Sequence, residues 1–119
     1  MGVLELIYLI TMIEITISVG LNDAVTKRQE YQTEVYVDVM KHVCKSYHVP
    51  FSFIVSDGGY FHDNGDYTQE KTLVLCLLDP EKGVVDGIAR DLCAFFHQES
   101  VLITESKVRA YYLKEELLK

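Results

Sequence analysis

Two cationic side chains and a tyrosine alternate near the end of the chain, in the segment KVRAYYL. If this segment is a strand, Lys107, Arg109 and Tyr111 lie on one face of it, because successive side chains point to opposite faces. An arginine guanidinium binds a phosphate through two parallel hydrogen bonds, and a tyrosine ring stacks on a base or a sugar. The pattern therefore indicates either one wall of a site for a phosphorylated ligand or a charged, protected sheet edge.

A second pair of cations, Lys27 and Arg28, follows Thr26. Thr26 with Gln29 three residues later is typical of a capping box, which predicts that a helix begins at Thr26. The free N–H groups of a helix N-terminus attract anions, and cations are unfavourable there without one. The pair indicates either an anion site or two tolerated surface charges.

The sequence contains no recognisable catalytic or metal-binding motif. The four histidines have no cysteine or serine beside them in a known arrangement. The segment HDNGD (62–66) gathers a histidine and two carboxylates, but Asp and Asn bond to nearby backbone and Gly supplies positive φ, so we interpret it as a turn. No catalytic residue, metal or cofactor is predicted.

Charge and length exclude several classes of protein. Eleven basic against eighteen acidic residues give a net charge of −7 over 119 residues, which argues against a duplex nucleic-acid partner. The apolar N-terminal stretch is interrupted by Glu5 and Glu14 and is too short to cross a bilayer, so no membrane partner is expected. Three widely spaced cysteines without a CxxC pair are predicted to be reduced core residues.

The hydrophobic pattern predicts one domain of six elements. Strict alternation predicts a first strand from Met12, and a helix is predicted from Thr26 to a point before Pro50. Two strands follow, at 50–56 and 71–79. A second helix begins at Pro80, and a last strand begins near Val101. The order β-α-β-β-α-β predicts an α+β, ferredoxin-like fold, with a four-stranded antiparallel sheet and both helices on one face. Residues 1–11 are a possible N-terminal extension, and residues 12–119 form the ligand-binding domain.

This topology predicts that three distant segments converge at one end of the sheet: residues 26–28, the hairpin 60–67 and residues 96–100. The convergence adds Gln98 to the candidate site. The candidate rings for an aromatic ligand are Tyr60, Phe61 and Tyr67 on the hairpin and Phe95 and Phe96 at the end of the second helix. Phe95 and Phe96 are expected to point in different directions, one into the core and one outward.

The last strand predicts self-association. Its apolar positions change parity between Ile103 and Val108, which is typical of a bulge or of two half-strands with different partners. At about 3.3 Å per residue, residues 101–112 extend roughly 36–40 Å, which is longer than an ordinary strand. We expect the second half to pair with another subunit, and hence a homo-oligomer.

Five stretches of the sequence carry a family resemblance: MIEITISVGLND, TKRQEY, DGGYF, FHQESVLI and KVRAYYL. Over Met12 to about Leu113 the chain resembles the phage-encoded Thoeris anti-defence sponge proteins. The resemblance implies a homo-oligomer in the cytoplasm of the infected or lysogenic bacterium that sequesters a cyclic ADP-ribose isomer without degrading it. Some members of the family also hold cyclic oligonucleotides at separate sites. The resemblance implies Arg109 and Arg28 on the diphosphate, supported by Lys107, and rings from Phe95, Tyr111 and Phe61; Gln98 completes the predicted set.

Two alternatives to this non-enzymatic binding protein stay open. The first is a small enzyme that cleaves a cyclic nucleotide, with His97 or His62 as the general base near the phosphates. The second is an acidic protein that inhibits a host complex through its charged surface or an exposed strand edge.

Overall fold

The computed structural model describes residues 3–116, and it describes side chains for residues 10–113. The elements in chain order are β1 (Val3–Gly20), α1 (Thr33–Ser46), β2 (Ser52–Phe61), β3 (Tyr67–Leu78), α2 (Lys82–Phe95) and β4 (Leu102–Glu116). The strands form one antiparallel sheet in the order β2-β3-β1-β4. The predicted α+β, ferredoxin-like fold is confirmed.

The core lies between one face of the sheet and the two helices. In β1 the alternation places Ile15, Ile17 and Val19 on this face, and all three are buried. The helices contribute apolar side chains at helical spacing, including Met40 from α1 and Ile88 and Leu92 from α2. Tyr47 at the end of α1 donates a 3.0 Å hydrogen bond from its hydroxyl to the Asp91 carboxylate of α2, which joins the helices.

Within residues 3–116, both helices lie on the core side, and no helix covers the opposite, outer face of the sheet. Strand register aligns two rows across all four strands there: Ser52, Cys76, Thr16 and Thr104, and Ile54, Val74, Ser18 and Leu102. Neither row contains a charged side chain. Ile54 and Leu102, at the two ends of the second row, are each 63% exposed.

Helix α1 begins at Thr33, so the predicted start at Thr26 is wrong. The Asp23 carboxylate accepts hydrogen bonds from the backbone N–H of Val25 (2.7 Å) and of Thr26 (3.1 Å), which folds this segment into a local turn. Lys27 then adopts a left-handed conformation with φ 65°, which a helix cannot continue through. Residues 22–32 are therefore a loop, and Lys27 lies on no helix N-terminus.

The long fourth strand pairs with its own chain. β1 starts at Val3, upstream of the predicted first strand, and β4 pairs with it from Leu102 to Glu116. The register shift falls between Leu6 and Leu9, in β1, rather than at the change of parity in β4. The inference that the second half of β4 needs another subunit as its partner is thus wrong, because residues before Met12 supply the pairing strand. Whether residues 1–11 are dispensable stays a prediction, and residues 1 and 2 lie outside the described range.

The predicted hairpin between β2 and β3 is confirmed, with a turn at residues 62–66. The backbone N–H of Gly65 donates to the carbonyl of His62 at 2.9 Å, and Gly65 adopts a φ of 91°. The Asn64 side-chain oxygen accepts the backbone N–H of Asp66 at 2.9 Å. Asn, Asp and Gly at this turn therefore serve its local hydrogen bonding.

Candidate functional site

Three sequence-distant segments meet at the end of the sheet where β1 finishes, as the topology predicts. They enclose a pocket of about 200 Å³, lined by Ala24, Lys27, Tyr60, Glu70, Gln98, Glu99 and Ser100. Lys27 comes from the β1–α1 loop, Tyr60 from the end of β2, and residues 98–100 from the α2–β4 connection. The prediction that these segments converge is confirmed.

Glu70, near the start of β3, was not among the predicted site residues. Its carboxylate oxygen Oε2 accepts a 2.9 Å hydrogen bond from the backbone N–H of Asn22. A Cβ on Gly20 would lie 2.5 Å from the same oxygen, so the carboxylate occupies the space that the glycine leaves open. On the other side Glu70 pairs with Gly58 of β2, which also has no side chain. The Asn22 N–H and the space left open by Gly20 therefore fix where the carboxylate lies.

Asn22 is itself held from two sides. Its side-chain Nδ2 donates to the backbone carbonyl of Gln69 at 3.2 Å, which ties it to β3. Its own carbonyl accepts a 2.6 Å hydrogen bond from Nε2 of Gln98, which ties it to the α2–β4 connection. The donor that faces Glu70 is thus fixed to both neighbouring walls of the pocket.

A second concavity lies beside this pocket, around the Asp23 turn. Its lining includes Asp23, Thr26, Arg28, Tyr31 and His97. The backbone N–H groups of Val25 and Thr26 lower the pKa of Asp23 below its ordinary value, and His97, whose Nδ1 lies 3.1 Å from Asp23 Oδ2, contributes less. The hydrogen bonds of Asp23 hold the shape of the loop that carries Lys27.

The structure places only some of the predicted site residues near the pocket. Gln98 lines it, while Arg28 lies on the neighbouring concavity, with its Nε 3.4 Å from the Glu30 carboxylate and its side chain 78% exposed. Phe61 is 74% exposed at the hairpin tip, where its ring packs against Tyr67. The predicted split of Phe95 and Phe96 is confirmed, because Phe95 is 64% exposed and Phe96 is buried.

Lys107, Arg109 and Tyr111 lie at the other end of the sheet. Register pairs them with Ile13, Thr11 and Leu9, whereas the pocket adjoins Gly20 and Asn22 at the end of β1. Arg109 lies seven residues along β4 from Leu102, a distance of about 23 Å at the usual strand rise. Within one chain, therefore, Arg109 and Arg28 do not face a common ligand. Their strand is the edge of the sheet, where charges oppose strand addition; their ligand role stays a prediction.

Sequence reasoning missed Glu70 because this residue belongs to no motif. Tyr60, in the stretch DGGYF, was a candidate ring but was left out of the final set of predicted site residues. Tyr60 pairs with Thr68, and Glu70 pairs with Gly58, so the two side chains lie on the same face of neighbouring strands. Gly20 and Gly58 around Glu70 were the available signal, but they become neighbours of Glu70 only through the strand register.

Other concavities do not lie where the three distant segments meet. One of about 340 Å³, beside the start of α2, has Lys82, Asp86 and Glu105 in its lining. An open groove beside α2, about 410 Å³ in volume, is lined mostly by apolar atoms of residues such as Ala89, Cys93 and Val101. Among the described residues, no group of three or more His, Cys, Asp or Glu side chains could hold a metal ion. In the same part of the chain no helix is long and apolar enough to cross a membrane. The pocket at Glu70 is therefore the candidate site.

No family model and no curated protein matches the chain. Among solved structures it is similar to a phage SAM lyase in its apo state, with 21% sequence identity, a TM-score of 0.65, and coverage of 92% of this chain and 91% of that one. A phage SAM lyase in complex with S-methyl-5'-thioadenosine has 22% identity, a TM-score of 0.61 and 90% coverage of both chains. CPII from Thiomonas intermedia K12, bound to ADP, AMP and acetate, has 9% identity, a TM-score of 0.51, and coverage of 87% and 92%. These likenesses show the fold.

The comparisons correct one prediction and refine another. The prediction that the chain is no enzyme is contradicted, because two solved structures that share its fold along nine-tenths of the chain are of a lyase. The predicted resemblance to phage-encoded proteins agrees with the comparisons in kind, because both lyase structures are of a phage protein. None of the three structures is of a Thoeris anti-defence protein or contains cyclic ADP-ribose. Their bound small molecules include S-methyl-5'-thioadenosine, ADP and AMP.

Proposed function

We propose that this chain is a lyase that breaks S-adenosylmethionine and releases S-methyl-5'-thioadenosine, in the pocket of Glu70. The observation that carries the proposal is the Glu70 carboxylate, held at 2.9 Å by the Asn22 backbone N–H in the pocket where three distant segments meet. The shared fold with phage SAM lyase supports the choice of substrate.

The charges of the pocket match those of S-adenosylmethionine. The substrate carries two cations, the sulfonium and the ammonium, and one carboxylate. The pocket presents two carboxylates, Glu70 and Glu99, and one ammonium, Lys27. The Tyr60 ring can contact a sulfonium through its π face, as tyrosine rings do with onium ligands. A cyclic ADP-ribose isomer, whose diphosphate is an anion, fits this balance less well.

The proposed reaction breaks the bond between the sulfonium sulfur and the γ-carbon of the aminobutyrate chain. Sulfur keeps the bonding electron pair, and the thioether that leaves is S-methyl-5'-thioadenosine. The γ-carbon of the remaining four-carbon fragment then needs a new bond, and it can form one in two ways that use no water. The fragment's own carboxylate oxygen closes on the γ-carbon to give a lactone, or Glu70 takes a proton from the β-carbon and an unsaturated amino acid results.

The residues of the pocket act mainly by placing the substrate. Lys27 holds the substrate carboxylate, while Glu70 and Glu99 hold its cations, so that the γ-carbon and its attacking group are fixed together. The contacts of Asn22 keep Glu70 in place before the substrate arrives, which avoids reorganisation during the reaction.

The test is incubation of purified protein with S-adenosylmethionine, followed by chromatography and mass spectrometry. We expect S-methyl-5'-thioadenosine to form faster than in buffer alone, and Glu70→Gln to reduce its rate by about 100-fold or more in a folded protein. Substrate deuterated at the β-carbon separates the two routes, because cyclisation keeps the label and elimination loses one deuteron.

Recovery of intact S-adenosylmethionine from the folded protein would overturn the proposal. Cyclic ADP-ribose isomers belong in the same assay, because Arg28 and Lys27 lie on neighbouring concavities and could together bind a diphosphate. If only those isomers bind, the result supports the ligand predicted from the sequence and rejects S-adenosylmethionine as the ligand.

A homo-oligomer is the second part of the proposal. The pocket of about 200 Å³ is smaller than the roughly 300 Å³ at which small-molecule sites begin, so one chain encloses only part of the ligand. The outer sheet face, whose two central rows are uncharged in a chain of net charge −7, is the surface on which copies can approach without repulsion. The cytoplasm of a phage-infected bacterium, where the substrate is available, is the proposed location.

A further inference from the structure

Gln98 is held in one orientation by four hydrogen bonds, one of which runs from its side-chain Nε2 to the Phe96 carbonyl at 3.3 Å. Its backbone N–H donates to the carbonyl of Cys93 at 2.9 Å, and its own carbonyl accepts the Cys93 thiol at 2.9 Å. Its side-chain Nε2 donates to the Asn22 carbonyl at 2.6 Å. The residue before it, His97, adopts a φ of 52°, which turns the chain sharply after α2. The side chain is therefore directed across the connection toward Asn22.

This contact completes a chain of hydrogen bonds from α2 to β3. Gln98 holds the Asn22 carbonyl, and the Asn22 N–H holds the Glu70 carboxylate at 2.9 Å. Without the Gln98 amide, Asn22 keeps its tie to the Gln69 carbonyl, but the Asn22 carbonyl loses its partner. The peptide group between Asn22 and Asp23 then keeps only the hydrogen bond from the Asp23 N–H to the Arg28 carbonyl, at 2.9 Å. With its carbonyl side released, the position of the adjacent Asn22 N–H that faces Glu70 is less tightly fixed.

We propose that Gln98 is a positioning residue for the reaction, which acts on Glu70 through the backbone of Asn22. The inference rests on the proposed function, because it assigns Gln98 a role in the chemistry of the same pocket. Its effect falls on catalytic turnover rather than on ground-state binding, since the geometry of a fixed carboxylate matters most in the transition state.

The first test removes the amide without changing the length of the side chain, in Gln98→Met. We expect kcat to fall about 10-fold while KM changes less than about twofold, as for an interaction made in the transition state. The control is Gln69→Met, the same substitution at an exposed residue next to Glu70, whose backbone carbonyl and not its side chain contacts Asn22. We expect this control to keep wild-type kcat.

The second test needs no activity. Hydrogen exchange of the Asn22 amide, followed by NMR, is expected to be slow in wild type and in Gln69→Met and about 10-fold faster in Gln98→Met, because the hydrogen bond to Glu70 is then loosened. In a Glu70→Gln background, Gln98→Met is expected to reduce kcat no further, since both changes act on one interaction. If Gln98→Met does not fold, Gln98→Glu replaces it, with a carboxylate that cannot donate to Asn22 at pH 8.

Unchanged Asn22 exchange, or an equal loss of kcat in Gln98→Met and Gln69→Met, would overturn the role of Gln98. A wild-type protein without lyase activity would overturn the proposed function instead, and the exchange measurement would then still decide whether Gln98 holds the donor to Glu70.

Discussion

The backbone N–H of Asn22 donates a 2.9 Å hydrogen bond to Oε2 of Glu70, which joins the loop after β1 to the start of β3. Hydrogen bonds to an ionised group are stronger than those between neutral groups. The two residues are separated by 48 positions in sequence, so only the antiparallel pairing of β1 with β3 brings them together. This contact is the basis for assigning the pocket a chemical role.

Gly20→Ala is expected to displace the Glu70 carboxylate. The new Cβ would lie 2.5 Å from Oε2, but the far end of a glutamate side chain can swing away at little cost in stability. We expect the melting temperature to change by less than about 4 °C, and turnover of S-adenosylmethionine to fall about 10-fold or more.

The control for Gly20→Ala is Gly83→Ala in α2, where an added Cβ meets nothing within 4 Å. This variant is expected to keep full activity and to gain about 0.5–1 kcal/mol, because alanine loses less backbone entropy than glycine in a helix. Full activity in Gly20→Ala would show that the position of the Glu70 carboxylate does not matter.

Ile54→Lys is expected to dissociate the proposed homo-oligomer. Ile54 ends an uncharged row on the outer sheet face and is 63% exposed in the single chain, so the substitution changes an interface but little of the core. Multi-angle light scattering after size-exclusion chromatography measures the mass. The matched control is Val25→Lys, in the exposed β1–α1 loop. A wild-type monomer, or an unchanged mass in Ile54→Lys, contradicts self-association through this face.

Stability is expected to fall at alkaline pH through Tyr47. The hydrogen bond to the Asp91 carboxylate, with smaller contributions from desolvation and from the charge of Asp91, raises the pKa of Tyr47 above its ordinary value near 10. Above pH 10 the unfolded tyrosine loses its proton before the folded one does, so the stabilisation present below pH 10 is lost as pH rises through the folded pKa.

The measurement is denaturant unfolding of wild type and Tyr47→Phe between pH 7 and pH 11. The difference in unfolding free energy between them is expected to be constant up to about pH 9 and to shrink above pH 10. A difference that stays constant to pH 11 would mean that the Tyr47 hydroxyl is not held by Asp91.

The three cysteines are expected to react at different rates, although the sequence predicted core positions for all of them. Cys44 is buried, and desolvation raises its pKa to about 11, so its reactive thiolate is scarce at pH 8. Cys76 and Cys93 are half-buried. Labelling of the native protein with a maleimide, followed by peptide mass spectrometry, is expected to modify Cys44 last. Early modification of Cys44 in folded protein would contradict the packing of α1.

Hydrophobic periodicity by itself determined most of the fold. The alternation around Ile15 and Ile17 predicts the buried face of β1, and the helical spacing of Ile88 and Leu92 predicts the buried face of α2. Both follow from the sequence alone, because the spacing of apolar residues determines which face of a strand or helix is apolar. The hairpin was also predictable from neighbouring residues alone, because Gly65 readily adopts the positive φ that the turn requires. The order of the elements then placed three loops at one end of the sheet.

Tertiary structure decided what the local signals could not. The Thr26–Gln29 signature failed because the Asp23 carboxylate took up the backbone N–H groups that a helix would have left free. Arg28 and Arg109 were predicted to bind one ligand, but β4 runs away from the pocket and carries Arg109 toward the other end of the sheet. Glu70 had no motif, and its importance arises from Asn22 and Gly20, which the sheet register brings to its carboxylate. A site made of single residues from separate strands is a property of register, and register is fixed only when the whole sheet forms.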